Sequence, residues 1–316
     1  MSLPREVVPG RLLFFTRRCS QRQHLMRPDA FTTNAFLYFL AVAARIAKVQ
    51  VVLACAMSNH YHAIVYDPHG RYPLFLERFH GMFARVMNLY RGTRENFWSS
   101  SQTSVIHLVD REAVLEKLVY VATNPVKAHL VATHGAWPGV NTLKALLEGR
   151  SLEARRPTQF GRKLLASLQH RPRLPEHPLI GDRAAFLDEL RERVEAMETT
   201  LRAEVAASGK KFLGRAGVRT QSWRTRSTTV ETKKKRFRTF AAVCPHAMKR
   251  ARLARREFLA AYLGARARWR DGNRDAVFPP GTYWLHVHAR VRVAPDQISD
   301  SVATLTSPAD RSDRRS

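Results

Sequence analysis

The sequence predicts a mixed α/β protein: a mainly antiparallel sheet covered by helices, followed by a basic, mostly helical C-terminal extension. Strand and helix patterns alternate up to about residue 148, which predicts a sheet with helices laid on it. Residues 149–181 are rich in Arg, Pro and His and read as a linker. We therefore expect a first domain over 1–148, a helical extension over 182–295 and a disordered tail over 296–316.

The elements of the first domain follow from residue patterns and turn signals. Pro9-Gly10 is a turn signal before an apolar run, and Ser58-Asn59 separates two further runs that read as adjacent strands. Asp110 is suited to cap a helix that Pro125 would end. The predicted strands are 11–17, 49–57, 61–66 and 103–108, and the predicted helices are 28–47, 73–90 and 111–124.

Two patterns stand out in the second half. Residues 182–207 predict an amphipathic helix, because apolar residues recur every three or four positions: Phe186, Leu190, Val194, Met197 and Leu201. Residues 283–293 alternate between apolar and polar residues, as a strand does.

The charge balance points to a polyanionic partner. The chain has 316 residues and a net charge of +27, and the stretch 210–270 holds 19 Lys plus Arg against two Glu, or +17. Nucleic acid is the commonest such partner, and an anionic membrane surface is the alternative. The longest clean apolar run, 35–44, is too short to cross a bilayer. We expect no membrane partner.

Cysteine usage and the first residues indicate the compartment. The three cysteines are far apart and form no C-x-x-C pair, which disfavours a disulfide framework and a thiolate zinc site. The N-terminal residues lack the apolar core of a signal peptide. We expect a cytoplasmic, nucleoid-associated protein.

The first pattern with chemical meaning is His60-Tyr61-His62 at the start of a predicted strand. Side chains two apart on a strand share a face, so both imidazoles can converge on one divalent ion while Tyr61 enters the core. A chance or structural pair is an equally good reading. His286 and His288 repeat the pattern, and we interpret that pair as structural.

The second pattern is Tyr120 and Asn124, which are four residues apart and therefore share one face of a predicted helix. Taken alone, it is better explained as an ordinary amphipathic helix that ends before a proline.

Together, in one basic α/β domain, these patterns resemble the single-tyrosine HUH transposases, particularly the REP-associated tyrosine transposases. The resemblance spans the first 150 or so residues. It also includes Pro9-Gly10, Phe14-Phe15-Thr16-x-Arg18, Met57-Ser-Asn-His-Tyr-His62, Trp98, Asn-Pro-Val126, Ala128, Leu130 and Trp137-Pro138.

The resemblance implies a ferredoxin-like or RRM-like sheet and a role for each matching residue. His60 and His62 would be ligands of Mg²⁺ or Mn²⁺, Asn124 a third polar ligand and Tyr120 the nucleophile. Proteins of this family cut single-stranded DNA, commonly beside a hairpin, and leave a 5′-phosphotyrosine and a free 3′-hydroxyl. They act as monomers or homodimers, and both states stay open here.

Two departures leave other functions open. Residues 99–103, Ser-Ser-Ser-Gln-Thr, replace a stretch that is more often basic or aromatic in relatives, and no carboxylate is evident beside the two histidines. The alternative is therefore a catalytically silent or domesticated DNA-binding protein derived from such a transposase. A weaker option is a metal-dependent phosphodiesterase that uses water in place of Tyr120.

Basic residues supply the DNA-binding candidates. Lys and Arg neutralise phosphates, whereas the aromatic residues between them can stack on bases or pack in a core. We expect the aromatic residues largely to pack and the cations to contact DNA. Lys117 and Lys127 could also favour the Tyr120 phenolate, although either could be a solvated helix charge. The candidates are Arg17, Arg18, Lys117, Lys127, Lys233, Lys234, Lys235, Arg236, Arg252, Arg255 and Arg256.

Overall fold

A five-stranded sheet with helices on both faces organises the chain. The computed structural model describes residues 4–158, 164–228 and 238–295. The strands are β1 Arg11–Arg18, β2 Gln50–Ala56, β3 His60–Asp67, β4 Ser104–Leu108, β5 Leu152–Arg155, β6 Ser167–His170, β7 Phe240–Ala241, β8 Val277–Phe278 and β9 Arg292–Val293. The α-helices are α1 Ala30–Ala47, α2 Tyr72–Arg91, α3 Arg111–Lys127, α4 Leu143–Leu147, α5 Arg183–Ala207, α6 Gly214–Thr220, α7 Pro245–Arg270 and α8 Trp284–Ala289.

The first half of the chain builds most of this sheet. Its elements follow one another as β1-α1-β2-β3-α2-β4, and the strand order across the sheet is β2-β3-β1-β4-β7. Neighbouring strands among the first four are antiparallel, and β7 joins the edge of β4 in parallel. The predicted mixed α/β fold with a mainly antiparallel, ferredoxin-like sheet is therefore confirmed.

Alternation along β1 gives the sheet two apolar faces. Leu13 and Phe15 point into the core under α1 and α2, whereas Leu12 and Phe14 point into the core under α3. Because both faces are covered, residues 12–15 in the middle of β1 are all apolar and buried. Any polar side chain on the α3 face is therefore held between a strand and a helix.

Helix α1 is a core helix of this fold. The Asp29 side chain accepts a hydrogen bond from the Thr32 amide at its start, and Lys48 ends it in a left-handed conformation. Among the described residues it is the one helix with the length and hydropathy of a membrane span, and 61% of that window is buried inside the protein. Its apolar side chains pack against β3 and α2.

Helix α3 runs three residues further than predicted. Asp110 caps it as expected, accepting from the Ala113 amide at 2.7 Å. The expectation that Pro125 ends the helix was wrong, because a proline so near the end removes only one backbone hydrogen bond. The Ala128 amide still donates to the Asn124 carbonyl at 3.0 Å, which completes the last turn.

The residues predicted as a connector contain a β-hairpin. Strands β5 and β6 pair antiparallel, and the buried Ala154 joins the core under α1. Tyr38 of α1 donates its hydroxyl to the Leu165 carbonyl at 2.6 Å. The stretch that was predicted to be a linker therefore contains paired strands, one of which packs on α1.

The predicted amphipathic helix is present as α5 and packs on α3. Phe186, Leu190 and Val194 are buried in the same core as Leu118 of α3. Met197 was expected on this apolar stripe, but its side chain is 41% exposed. The predicted domain boundaries stay predictions, and the predicted tail 296–316 lies outside the described residues.

The strand predicted over residues 283–293 is wrong over most of its length. The chain forms helix α8, and Trp284 contacts His288 one turn later with ring centroids 4.7 Å apart. Alternation over so few residues does not separate a strand from a short helix. On a helix His286 and His288 are about 200° apart around the axis, so they do not share a face.

Asp110 joins the two halves of the chain. One carboxylate oxygen caps α3, and the other accepts from the amides of Val243 and Cys244, at 2.8 Å each, just before α7. Asp110→Ala should therefore cost more than the about 1–2 kcal/mol of a simple helix cap. Urea unfolding measures this. Asp182→Ala is the matched control, because Asp182 caps α5 only. Equal losses in the two variants would contradict the joining role.

Candidate functional site

Strands β1 and β3 and helix α3 bring the predicted chemical residues together. Thr16 pairs directly with His62, and Arg18 pairs with His60, so these side chains lie on one face at one end of the sheet. That face is the one covered by α3, which carries Tyr120. Tyr61 points to the opposite face and is fully buried, as predicted.

His62 is the centre of the group. Its side chain is almost fully buried, and its ring stacks on Phe14 with centroids 5.4 Å apart. Nδ1 lies 2.8 Å from Thr16 Oγ1, and Nε2 lies 3.5 Å from the Tyr120 hydroxyl. One ring nitrogen is thus fixed by the strand, and the other faces the tyrosine on the helix.

His60 is held in the same way. Its Nδ1 lies 2.7 Å from Asn59 Oδ1, and because that oxygen only accepts, Nδ1 carries the proton and Nε2 keeps its lone pair. The His60 and His62 ring centroids are 4.8 Å apart. The sheet therefore brings together two imidazoles whose Nδ1 atoms already have hydrogen-bond partners. This arrangement is typical of metal-binding histidines.

Both imidazoles are kept neutral. Burial lowers the pKa of His60 to about 4, with the charges of Arg18 and Arg22 acting in the same direction. Burial, with His60, Arg18 and Lys117 nearby, holds the pKa of His62 well below its ordinary value. A neutral imidazole is the form that binds a divalent ion.

Tyr120 is a half-buried phenol in a polar environment. Burial raises its pKa, while a hydrogen bond from the Asn124 side chain and the charge of Arg18 act in the opposite sense. Tyr120 and Asn124 lie one helical turn apart on the same face of α3, so the Asn124 amide lies beside the phenol. The predicted Tyr–Asn pair therefore acts as a unit.

Two lysines lie beside the tyrosine ring. Lys117 Nζ is 5.8 Å from the Tyr120 ring centroid and 6.0 Å from that of Phe14, and Lys127 Nζ is 5.7 Å from the Tyr120 centroid. At these distances both cations attract the ring face and would also attract an anion brought to the hydroxyl.

The side chains of this site supply only part of the ligands that a divalent ion needs. Within the ranges that the structure describes, no group of three or more His, Cys, Asp or Glu side chains could hold a metal. The available donors are Nε2 of His60, Nε2 of His62 and Oδ1 of Asn124, which is buried. Two imidazoles and an amide oxygen would hold an ion that takes its other ligands from water and substrate oxygens.

The other predicted DNA-binding residues lie in different places. Arg18 lies close enough to the site to influence the pKa of His62 and of Tyr120. Arg17 points to the opposite face, where its Nη1 donates to the Ser101 carbonyl at 2.6 Å. The three candidates on α7 are Arg252, Arg255 and Arg256, and the candidates Lys233, Lys234, Lys235 and Arg236 lie outside the described residues.

Sequence reasoning missed the residues that orient the two imidazoles. Asn59 could have been found, because an amide next to His60 can reach its Nδ1. Thr16 could not, since its contact with His62 depends on the register of β1 against β3. The same register explains why Phe14, and not Phe15, stacks on His62.

The Asn59 oxygen predicts the tautomer of His60, and the Tyr120 hydroxyl, which can donate to Nε2, favours the same tautomer for His62. At neutral pH, His60 and His62 should each be neutral with the proton on Nδ1, as read from long-range proton–nitrogen NMR correlations. Thr16→Val removes the partner of His62 Nδ1 and should shift the His62 signals toward a mixture of tautomers. The His60 signals of the same variant are the internal control. An unchanged His62 pattern would contradict the orienting role of Thr16.

Comparisons with known proteins give structural neighbours but no sequence relatives. No protein-family model matches the chain, and no curated protein matches it. A solved REP-associated tyrosine transposase bound to a REP hairpin is similar at 16% identity and a TM-score of 0.38, covering 45% of this chain and 82% of that one. A provisionally assigned transposase from Deinococcus radiodurans R1 is similar at 15% identity and a TM-score of 0.28, covering 37% of this chain and 93% of that one.

Proposed function

We propose that this chain is a metal-dependent single-tyrosine transposase that cleaves and rejoins single-stranded DNA through Tyr120. The observation that carries the proposal is the 3.5 Å approach of the Tyr120 hydroxyl to His62 Nε2, with His60 beside His62 and Asn124 one helical turn from Tyr120. A nucleophile and a candidate ion site thus share one small space between β3 and α3.

The reaction is a transesterification at phosphorus. The Tyr120 hydroxyl loses its proton, its oxygen bonds to the phosphorus, and the bond from phosphorus to the 3′ oxygen breaks. The 3′ oxygen takes up a proton and leaves as a hydroxyl, and the 5′ side stays on the protein as a phosphotyrosine. The new phosphodiester keeps the energy of the old one, so a 3′-hydroxyl can later attack it and rejoin strands without ATP.

Mg²⁺ or Mn²⁺ would be held by His60, His62 and Asn124. When bound, it would draw charge from a non-bridging phosphate oxygen and orient the scissile bond. The side chains then have defined tasks. Asn59 and Thr16 fix the two rings, and Asn124 supports the phenol oxygen as its negative charge develops.

The DNA partner is proposed from charge and from the family motifs. Lys117 and Lys127 near the Tyr120 ring would attract the scissile phosphate, and the basic C-terminal half would hold the flanking strand. A hairpin beside the cleavage site, a nucleoid-associated cytoplasmic location and a homodimer are further parts of this proposal.

A DNA-binding protein without cleavage activity is the second candidate. The observation that favours it is the lack of a carboxylate beside the imidazoles within the described ranges, which weakens the site for Mg²⁺. It shares the DNA affinity of the first candidate and differs in forming no covalent product.

Covalent trapping tests the proposal. Incubated with Mn²⁺ and a pool of hairpin-containing single-stranded oligonucleotides, the protein should form an adduct that survives denaturation and is lost on chelation. Tyr120→Phe should abolish the adduct, because the phenol oxygen is the attacking atom. Tyr90→Phe is the matched control, since Tyr90 is an exposed tyrosine on α2.

Each outcome decides between the candidates. An adduct that persists in Tyr120→Phe would make the assigned nucleophile wrong. DNA binding that survives His60→Ala, with no adduct from the unchanged protein on any oligonucleotide, would support the non-catalytic candidate. Release of a free 5′-phosphate without an adduct would indicate hydrolysis by water.

A further inference from the structure

A polar cavity lies on the face of the sheet opposite to the Tyr120 site. It has a volume of about 430 Å³ and lies between β4, the start of α2 and the middle of α7. We call it the arginine pocket. Its lining residues come from five separate parts of the chain: Arg5, Glu6, Tyr72, Ser100, Ser101, Gln102, Thr103, Ser104, Val105, His107, Arg238, Thr239 and Arg255.

The arginine pocket carries excess positive charge. Arg5, Arg238 and Arg255 line it, and the single lining carboxylate, Glu6, already accepts from Arg11 at 2.9 Å. Arg11 also lies 2.7 Å from Nδ1 of His107, which is buried. The carboxylate therefore does not neutralise the three lining arginines, and an anion would enter a field of several guanidinium groups.

A buried hydroxyl in the pocket lacks a partner. Tyr72 is 1% exposed, its ring packs on Phe15 with centroids 5.8 Å apart, and its hydroxyl makes no hydrogen bond within the described structure. Leaving such a group unsatisfied is costly, and native proteins rarely do so without a reason. An acceptor oxygen placed in the pocket would satisfy it.

A serine-rich loop connects the arginine pocket to the Tyr120 site. The Ser99 amide donates to the Arg18 carbonyl at 3.0 Å, and the following residues 100–104 line the pocket. Ser104 at the start of β4 pairs with Thr16, the residue that orients His62. Both sites therefore lie at the same end of the sheet, on opposite faces, with a row of hydroxyl groups between them.

We propose that the arginine pocket binds phosphate groups of the single-stranded DNA that flanks the phosphate attacked by Tyr120. This proposal rests on the proposed function in one respect, because it assumes that the polymer bound in the pocket is the DNA substrate. The strand would leave the Tyr120 site, pass along residues 99–104 and place a phosphate against Arg5, Arg238 and Arg255. The Tyr72 hydroxyl would donate to that phosphate.

A single strand fits these features better than a small anion or a duplex. The cations come from separate segments, and they surround a space larger than one phosphate needs. Hydroxyl groups continue from this space toward the Tyr120 site. A cavity of about 430 Å³ is far too small for a double helix. The serine-rich stretch that departs from the transposase motif thus receives a role, as a surface along which a strand passes.

The test is the salt dependence of DNA binding. All proteins carry Tyr120→Phe, which removes the covalent step, and the probe is a fluorescent oligothymidylate followed by anisotropy. Replacing Arg238 and Arg255 with Gln should lower the slope of log affinity against log salt by about 1.4, because each phosphate contact of a single strand contributes about 0.7. Replacing Arg250 and Arg270, both exposed on α7 outside the pocket, is the matched control.

Tyr72→Phe is the second variant and keeps the fold, because the missing hydroxyl has no partner to lose. It should weaken DNA binding about tenfold, the value of one hydrogen bond to a charged group, with an unchanged melting temperature. Equal slopes for the pocket and control pairs, or full affinity in Tyr72→Phe, would overturn the proposal. Pocket-dependent binding of inorganic phosphate without an effect on DNA would also overturn it. Since no adduct is measured, these outcomes do not depend on cleavage.

Discussion

The register of β1 against β3 is the constraint on which the rest of the molecule depends. It pairs Thr16 with His62 and Arg18 with His60, and it directs both imidazoles toward α3 while Tyr61 fills the opposite core. A slip of one residue would exchange the two faces and place the imidazoles under α1 and α2. The apolar pairs of β1, buried on both sides, make that slip very costly.

Helix α3 completes the site because it is fixed at its start and along its outer face. Its cap residue Asp110 also binds the chain before α7, and its outer face is covered by α5. The basic second half is therefore packed against the sheet rather than appended to it, with β7 extending the β4 edge. Arg238, Thr239 and Arg255 of this half complete the lining of the arginine pocket.

The fold and the site differ in how far the sequence predicts them. Strands and helices of the first half were predictable, since each carries a clear period and turn residues at its ends. The convergence of His60 and His62 followed from spacing on one strand, and Tyr120 with Asn124 from spacing on one helix. The meeting of the two pairs came only from a family resemblance, because no local pattern places α3 over β3. His286 and His288 show that spacing alone is insufficient, because the same spacing on helix α8 separates the two rings.

We propose that β3 and α3 together build one ion-binding site that contains Tyr120. Anomalous diffraction from crystals soaked in Mn²⁺ tests it most directly. We expect a manganese peak bonded to Nε2 of His60 and Nε2 of His62, with Asn124 Oδ1 as a further ligand. The Tyr120 hydroxyl should lie next to this peak. A map without a peak there, or one in which the only manganese lies at His286 or His288, would contradict it.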